Sequence, residues 1–543
     1  MAATSPTTAA PIRAPPCPGI NRVSLPFCHR RPRRAAPSTR CSRKGEPAVT
    51  DVVQEEAPRS PETQGKDGEE EEEAAAQRGA LGWLRLDGVA VDILSIAVPA
   101  VLALAADPIT TLVDTAFVGH IGSAQLAAVG ASASVFNLVS KLFNVPLLNV
   151  TTSFVAEQQA VVDDSSNSIG QRDEIFMQQK KASKQRKVLP AVSTSLALAA
   201  GIGLLEMVAL IVGSGTLMDI IGIPVGSPMR APAEQFLTLR AYGAPPIIVA
   251  LAAQGAFRGF LDTKTPLYAV GAGNLLNAVL DAVLIFPLGL GVSGAALATV
   301  SSEYLTSLIL LWKLNNEVDL FSWNIIGDGI IRYLKSGGLL IGRTIAVLLT
   351  MTLSTSLAAR EGPVQMAGYE ICLQVWLTIS LLNDALALAG QALLASEYAK
   401  RNYKQARMVL YRVLQVGGVT GVALAATLFI GFGSLSLLFT DDPAVLDIAQ
   451  SGVWFVAISQ PANAIAFVAD GLYYGVSDFA YAAYSTLFAA AISSVFLLIA
   501  APKFGLCGIW AGLTLFMSLR AVACFWRLGS KGGPWEIIWS ESE

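Results

Sequence analysis

The sequence is poor in charged residues, histidine and cysteine, and each shortage excludes a class of protein. Only 15% of its 543 residues are charged, whereas soluble proteins carry about 25%. Its two histidines, His29 and His120, and its six cysteines have no metal-ligand spacing, which leaves no His/Cys metal site and no disulfide framework. The chain also lacks a GxxxxGK[ST] loop, so nothing in it supports transport driven by ATP.

The rest of the sequence is apolar and patterned for a membrane. Beyond residue 88, nearly every window contains an apolar run of about 20 residues, which is enough to cross about 30 Å of hydrocarbon. We therefore predict an all-α polytopic membrane protein with twelve transmembrane helices. These helices are expected near residues 89–118, 124–158, 188–213, 231–257, 265–288, 292–314, 330–359, 364–397, 405–438, 444–474, 479–501 and 505–528.

The first 88 residues are polar and divide into two parts. Residues 1–45 contain nine Arg or Lys and no Asp or Glu. They are also rich in Ser, Thr, Ala and Pro, a composition typical of an organelle transit peptide and, with the start MAATSPTTAA, of a plastid one. A disordered basic arm is the alternative. Residues 46–88 include the run EEEEE at 69–73 and are predicted to form a disordered acidic linker.

Basic residues are distributed unequally between the two predicted sides of the membrane. The loops and tail on the side of the chain termini contain 18 Lys or Arg, and the opposite loops contain four: Arg230, Arg240, Arg360 and Lys503. The positive-inside rule therefore favours twelve crossings with both termini inside. In a plastid envelope, the inside would be the stroma.

The second half of the body repeats the first. AYGAPPIIVALAAQGAFRGFLD from Ala241 aligns with AISQPANAIAFVADGLYYGVSD from Ala457, so that Pro245 matches Pro461 at a spacing of 216 residues. Six helices per repeat make the repeats parallel, related by an axis along the membrane normal. The predicted domains are an N-terminal six-helix lobe at 89–314, an inter-lobe linker at 315–329, a C-terminal six-helix lobe at 330–528 and a C-terminal tail at 529–543.

Several stretches of the body resemble the multidrug and toxic compound extrusion (MATE) family. They are LVDTAFVGHIGSAQLAAVG, NLLNAVLDAVLIFPLGLGVSGAALAT and LQVWLTISLLNDALALAGQALLA. GGLLIGRTIAVLLT and VADGLYYGVSDFAYAAYS are closer to the plant DETOXIFICATION branch, which includes citrate exporters and plastid members. The resemblance covers about residues 90–528. It implies two six-helix lobes in a V shape that move solutes against an inward gradient of H⁺ or Na⁺, without a cofactor.

The resemblance assigns ion coupling to three polar residues in the N-terminal lobe. Asp114 matches the acid of the family's first-helix motif, and Asn277 with Asp281 matches its N…D pair. The latter two are four residues apart on one helical face. A carboxylate beside an amide suits either a protonatable acid or Na⁺ coordination with backbone carbonyls, and both remain open. The alternatives are a hydrated Asp114 near the interface and a pair that only joins helices.

Other charges inside predicted helices are candidates for substrate binding or for buried ion pairs. Arg343 lies in LLIGRTIAVLL and is expected to pair with Asp470 or Asp384, or to meet a substrate carboxylate. Glu303 is a further candidate of the same kind. Some MATE members couple through acids on helices 7 and 10, but the predicted helix 330–359 contains no acid, which weighs against a coupling route there.

Prolines in the predicted helices suggest bends. Pro108 follows Asp107, whose side chain is expected to satisfy the carbonyls that a proline bend frees. Pro245 and Pro461 occupy corresponding positions of the two repeats and are predicted to let each lobe flex.

The leading hypothesis is an antiporter of the plastid envelope that exports an organic solute in exchange for H⁺ or Na⁺ by alternating access. The solute is expected to be an organic anion such as a carboxylate, or a xenobiotic. The expected partners are this solute and the bilayer, with no nucleic acid, and the chain is expected to act as a monomer. The alternatives are a lipid-linked substrate flippase and a membrane-embedded lipid-modifying enzyme, for which TDDPA at 440–444 is the nearest motif.

Overall fold

A computed structural model describes residues 88–170, 187–320, 328–440 and 442–540, and every helix and contact given below lies within these ranges. The predicted transit peptide and acidic linker lie outside the described residues, as does part of the predicted inter-lobe linker. The helices are α1 (Gly88–Gly119), α2 (Ser123–Gly170), α3 (Pro190–Ile220), α4 (Arg230–Ala241), α5 (Ala244–Gly259), α6 (Lys264–Ile285), α7 (Gly291–Glu317), α8 (Asp328–Arg360), α9 (Pro363–Ala399), α10 (Tyr403–Ser436), α11 (Pro443–Gly475), α12 (Phe479–Phe504), α13 (Leu506–Ser530) and α14 (Pro534–Ser540).

The helices have the lengths and composition of membrane spans. Eleven are long and apolar enough to cross a bilayer, and α4 with α5 forms a bent pair that makes the twelfth span. The predicted all-helical, twelve-span fold is confirmed. A continuous helix suits these segments because it satisfies every backbone hydrogen bond internally, where no water is present to do so.

Four boundaries differ from the prediction, and one of them is the end of α3, which continues to Ile220, beyond the predicted 213. The predicted helix 231–257 is broken into α4 and α5, which meet at 45°; Pro245 lies at the start of α5, where its missing N–H costs least. Helix α2 continues to Gly170, beyond the predicted 158, because polar residues extend a helix past the apolar run. The predicted C-terminal tail contains α14, whose Trp535 and Ile538 are buried.

The two lobes repeat the same packing. Helix α1 packs on α6, α2 on α5 and α6 on α7 in the N-terminal lobe (α1–α7), as α8 packs on α12, α9 on α11 and α12 on α13 in the C-terminal lobe (α8–α13). Glycines make the corresponding close approaches: a Cβ atom on Gly203 would lie 2.6 Å from Pro245 Cα, and one on Gly421 would lie 2.7 Å from Pro461 Cα. The matched prolines are therefore tightly packed in both lobes.

The lobes meet at one end of the bundle, which we call the terminus end because α1 begins and α13 ends there. Helix α9 packs against α1 and α2, and α8 packs against α2. All residues in 150–156 of α2 and 385–392 of α9 are buried, which requires neighbours on every side of each helix. In the half of α9 farther from the terminus end, Leu377 and Thr378 are exposed. The close contact between the lobes is thus concentrated toward the terminus end.

Polar side chains cross between the lobes at the same level. Gln391 on α9 donates from Nε2 to the carbonyl oxygen of Asn149 and to Ser153 Oγ on α2, each at 2.8 Å. Arg332 on α8 pairs with Glu157 on α2, with 2.7 Å between Nη2 and Oε2. These contacts tie the terminus ends of α2, α8 and α9 together.

Candidate functional site

The structure brings the three residues predicted to couple ions into one cluster in the N-terminal lobe. Helix α1 packs against α6, which places Asp114 beside Asn277 and Asp281. Asn277 Nδ2 donates to Asp114 Oδ1 at 2.6 Å and to Asp281 Oδ2 at 3.0 Å. Both α6 side chains are fully buried, because Asn277 and Asp281 are one turn apart on the face that α6 turns toward its neighbours.

This cluster has more hydrogen-bond acceptors than donors. Within the described part of the chain, Asn277 Oδ1 and Asp281 Oδ1 are buried and receive no hydrogen bond. Buried oxygens without a donor are costly, and a proton or a hard cation removes that cost by binding to them. The arrangement is chemically suited to both H⁺ and Na⁺.

A third acidic residue, Glu303, extends the cluster from α7. It pairs with Arg240 of α4, with 2.5 Å between Oε1 and Nη1, and the Arg240 guanidinium lies over the ring of Phe136 at 4.4 Å. Helix α7 packs on α6, the helix that carries Asn277 and Asp281. Glu303 therefore belongs to the N-terminal acidic cluster and is neutralised in part by a single arginine.

Glu206 of α3 joins this cluster and was missed in the sequence. It accepts a hydrogen bond from Ser140 of α2, which is one turn from Phe136, the residue over whose ring Arg240 lies. A charged residue inside an apolar run could have indicated this site, because Glu206 interrupts LLEMVALIVG as Arg343 interrupts LLIGRTIAVLL.

The C-terminal lobe contains a different cluster, built on Asp470. Arg343 of α8 pairs with Asp470 of α11, and Arg520 of α13 pairs with the same oxygen, Oδ2, at 2.5 Å from Nη2. Asp384 lies on α9, which packs against α11, and its side chain is exposed. Of the two partners expected for Arg343, the structure pairs it with Asp470.

Arg520 and Arg258 were not recognised as site residues in the sequence. Arg520 lies within the predicted helix 505–528. As a charge inside an apolar run, it could have been recognised as a candidate site residue. Arg258 was counted as a loop residue, as were Arg230 and Arg240, and this placement is wrong: all three lie in α4 or α5. Arg258 is 7% exposed, so its charge is buried.

The prolines predicted to bend the helices have different surroundings. Pro108 lies inside α1, which continues past it to Gly119. Pro461 lies inside α11, which likewise continues to Gly475. Pro245 immediately follows the break between α4 and α5. In the part of the chain that the structure describes, the break in a span therefore occurs in the N-terminal repeat, at Pro245.

Together, the fold and the clusters define a class of protein. Twelve spans in two repeated lobes, with charged clusters buried inside each lobe, are typical of a secondary transporter. The N-terminal cluster is acidic and suits cations, whereas the C-terminal cluster pairs two arginines with one aspartate, Asp470.

Comparison with known proteins gives the family. The MatE family model matches residues 175–283 and 340–499. The chain is 65% identical over 456 residues to Protein DETOXIFICATION 44, chloroplastic, of Arabidopsis thaliana, covering 84% of this chain and 85% of that protein. It is 47% identical over 444 residues to Protein DETOXIFICATION 45, chloroplastic, of the same species, covering 82% and 79% of the two chains. The chain belongs to the MatE family of multidrug and toxic compound extrusion (MATE) transporters.

Solved structures have the same fold. A crystal structure of MATE in the bent conformation superposes with a TM-score of 0.73 at 19% identity, covering 84% of this chain and 97% of that one. The fold expected from the MATE resemblance is confirmed. Because members of the family are transporters, the chain is a membrane transporter of the efflux type and not an enzyme.

Proposed function

We propose that this chain is a cation-coupled antiporter that exports an organic solute in exchange for H⁺ or Na⁺ by alternating access. The observation that carries the proposal is the amide of Asn277, which donates to Asp114 and Asp281 and leaves two buried oxygens without a donor. Binding of one cation satisfies these oxygens and reduces the repulsion between the two carboxylates. Cation binding would therefore change how tightly α1 and α6 are held together.

The packing of the lobes supports alternating access. In this conformation, the contacts between lobes are concentrated toward the terminus end, through Gln391 and the Arg332–Glu157 pair. Breaking them would let the lobes separate there. The polar contacts can be exchanged for water at modest cost, and the rest of the closed end is the packing of α9 on α1 and α2 and of α8 on α2.

We assign an organic anion, such as a carboxylate, as the leading solute class and keep a xenobiotic as the alternative. Buried arginines in the C-terminal lobe favour an anion, because guanidinium groups bind carboxylates with two parallel hydrogen bonds. A lipid-linked substrate flippase would be favoured by an extended basic cleft. The acidic cluster around Asp114 and Glu303 argues against one.

For location, we propose the plastid envelope, with both termini in the stroma and the chain acting as a monomer. Two relatives are named as chloroplastic, and residues 1–45 have the composition of a transit peptide. The excess of Lys and Arg on the terminus side supports the orientation. Residues 1–80 fused to a fluorescent reporter should direct it to plastids, and cytosolic fluorescence would contradict this part of the proposal.

The coupling proposal is tested with purified protein in liposomes, using imposed H⁺ and Na⁺ gradients and labelled carboxylates. Transport should follow one of the two gradients. Asp281→Asn should abolish gradient-driven transport while the protein still purifies as a folded species. Transport that ignores both gradients would refute the coupling, and normal gradient-driven transport by Asp281→Asn would refute the site.

A further inference from the structure

Glu206 is a buried acid of α3 that has no counter-ion. It lies near the middle of this membrane span and is 3% exposed. Its carboxyl group accepts a hydrogen bond from Ser140 of α2. Within the described ranges, its second oxygen, Oε2, is buried without a hydrogen-bond donor, and no Lys or Arg side chain lies within ion-pairing distance of it. An unpaired carboxylate inside a membrane span is costly, and a bound proton removes its charge.

The charged residues of the neighbouring helices are engaged elsewhere. Helix α3 packs on α2, α4, α5 and α8. The arginines of these helices that pair with other acids are Arg230 with Asp219 and Glu234, Arg240 with Glu303, Arg332 with Glu157, and Arg343 with Asp470. The other described cations of the four helices are exposed or lie in a last helical turn; they are Lys141, Lys335, Arg258 and Arg360. Glu206 is therefore neutral only when it holds a proton.

Glu206 lies beside the break between α4 and α5. Gly203, one turn before Glu206 on the same helical face, packs against the start of α5, since a Cβ atom on it would lie 2.6 Å from Pro245 Cα. Glu303 of α7 reaches the same break, because a Cβ atom on Gly243 would overlap Glu303 Oε2. Two buried acids thus approach the point at which this span bends by 45°.

Only one arginine is available to these two acids among the described residues, and Glu303 engages it. Arg240 Nη1 lies 2.5 Å from Glu303 Oε1, and the guanidinium covers the ring of Phe136 at 4.4 Å. Phe136 is one turn before Ser140, the hydrogen-bond partner of Glu206. Because the charge of Arg240 is balanced by Glu303, an ionised Glu206 would leave one negative charge in surplus at the break.

We propose that Glu206 is a second cation site of the N-terminal lobe, one that binds a proton, on the α2–α3 helix pair. The first site, the cluster of Asp114, Asn277 and Asp281, lies on α1 and α6 instead. Ser140 and the carboxyl oxygens suit a proton, because a hard metal cation requires more oxygen ligands than these.

The position of Glu206 links this proton to the shape of the break. In the conformation described, Glu206 is closed to water and the proton neutralises it. Movement of Pro245 away from Gly203 would open the site to water and release the proton there. The inference rests on the proposed antiport, and it adds one proton to each cycle whichever cation the first site binds.

Infrared spectroscopy of the purified full chain tests the site without any solute. A protonated carboxyl group has a C=O band that neither a carboxylate nor an amide shows at that frequency. Subtracting the spectrum of Glu206→Gln from that of the unaltered chain therefore isolates the band of Glu206. This band should appear and disappear once as the pH is varied across the range in which the protein transports. Glu234→Gln, which removes an acid of α4 that is 38% exposed, is the matched control and should show no such band.

Transport in liposomes then counts the proton. With the membrane potential held at zero, labelled citrate is allowed to reach balance against an imposed pH gradient. Glu206→Gln should lower the final accumulation ratio by about tenfold for each pH unit of the gradient, because one proton per cycle contributes about 1.4 kcal/mol per unit. Glu234→Gln should leave the ratio unchanged. An equal ratio in Glu206→Gln and the unaltered chain would show that Glu206 carries no transported proton.

Each outcome decides for or against the site. Glu206→Gln should fold, because the amide has the size of the acid and keeps Ser140 as a partner; if it does not fold, Ser140→Ala replaces it and should shift the pH midpoint of the band. A missing band, a band of equal intensity at every pH, or an unshifted midpoint in Ser140→Ala overturns the proposal. A band that persists in Asp281→Asn supports a separate site, and its loss there assigns the proton to the first site. Transport that follows neither H⁺ nor Na⁺ would refute the coupling proposal, while the infrared band still decides whether Glu206 binds a proton.

Discussion

Asn277 on α6 donates a hydrogen bond to Asp114 on α1, with 2.6 Å between Nδ2 and Oδ1. The same nitrogen donates to Asp281 at 3.0 Å, so one amide holds two carboxylates that would otherwise repel each other. The contact joins the first and fifth membrane spans. Its strength depends on the charge of both acids, because a charged acceptor forms the stronger hydrogen bond. Cation binding and helix packing are thereby linked through one side chain.

The first prediction follows from this amide. Asn277→Ala should change the half-saturating concentration of the coupling cation by about tenfold or more, since each hydrogen bond to a charged group is worth about 1.5–3 kcal/mol. The concentration should fall if the cation is H⁺, because the lost N–H donors favour the ionised carboxylates, and rise if it is Na⁺, because the amide oxygen is lost as a ligand. Initial rates in liposomes at varied H⁺ or Na⁺ measure the change. Asn274→Ala, one turn earlier on the same helix, is the matched control. Cation dependence that is equal in both variants would remove Asn277 from the site.

The second prediction concerns the Arg240–Glu303 pair. Both side chains are mostly buried, at 14% and 16% exposed, so Arg240→Met should destabilise the folded protein by about 3–5 kcal/mol by leaving Glu303 without its partner. The double variant Arg240→Met with Glu303→Gln should recover much of that loss. Thermal unfolding of the three variants in detergent measures the coupling. Additive losses in the double variant would mean that the two residues act independently.

Much of the fold could be predicted because the membrane restricts the choices. Apolar runs of about 20 residues can cross a bilayer only as helices. Matching Pro and Gly residues 216 positions apart indicate the repeat. The pairing of Asn277 with Asp281 followed from helical spacing. Their contact with Asp114, 163 residues away, came from the family resemblance, because no local rule brings α1 beside α6.

Of the cluster built on Asp470, the sequence predicted the Arg343–Asp470 pair and missed the other arginines. Arg258 lies at the end of an apolar run and looks like a loop residue, and only the packing of α5 against α2 and α9 shows that it is buried. Arg343 and Arg520 are 177 positions apart and meet at Asp470 of α11, because α13 packs against both α11 and α8. Spacing along one helix predicts partners on that helix, whereas these charges pair between helices.

The third prediction concerns the close contact between α10 and α11. A Cβ atom on Gly421 would lie 2.7 Å from Pro461 Cα, whereas one on Gly418 of the same helix would meet nothing within 4 Å. Gly421→Ala should therefore destabilise the protein by about 1–3 kcal/mol, as overpacking does. Gly418→Ala should be neutral or slightly stabilising, because alanine favours helix more than glycine does. Thermal unfolding measures both variants, and equal effects would contradict the packing shown here.

The fourth prediction concerns the Glu157–Arg332 pair that joins the lobes at the terminus end. These side chains are 39% and 51% exposed, so the pair is worth at most about 1 kcal/mol, which corresponds to about a fivefold change between two conformations. Glu157→Gln should raise, by up to about fivefold, the population in which the lobes are apart at this end. The reporter is Ala389→Cys, a fully buried site on α9. Its rate of maleimide labelling in detergent measures the population in which the lobes are apart. Peptide mass spectrometry separates this label from the label on Cys507, which is exposed.

A charge swap separates the ion pair from a loss of folding. Glu157→Arg with Arg332→Glu should return the labelling of Ala389→Cys to its original rate, because the pair is restored in reverse. Glu157→Arg alone should label fastest, since two cations then face each other across the lobes. If the single and the swapped variants label at the rate of the unaltered chain, the lobes are held by Gln391 and the buried helix faces, and the ion pair contributes nothing to the closed end.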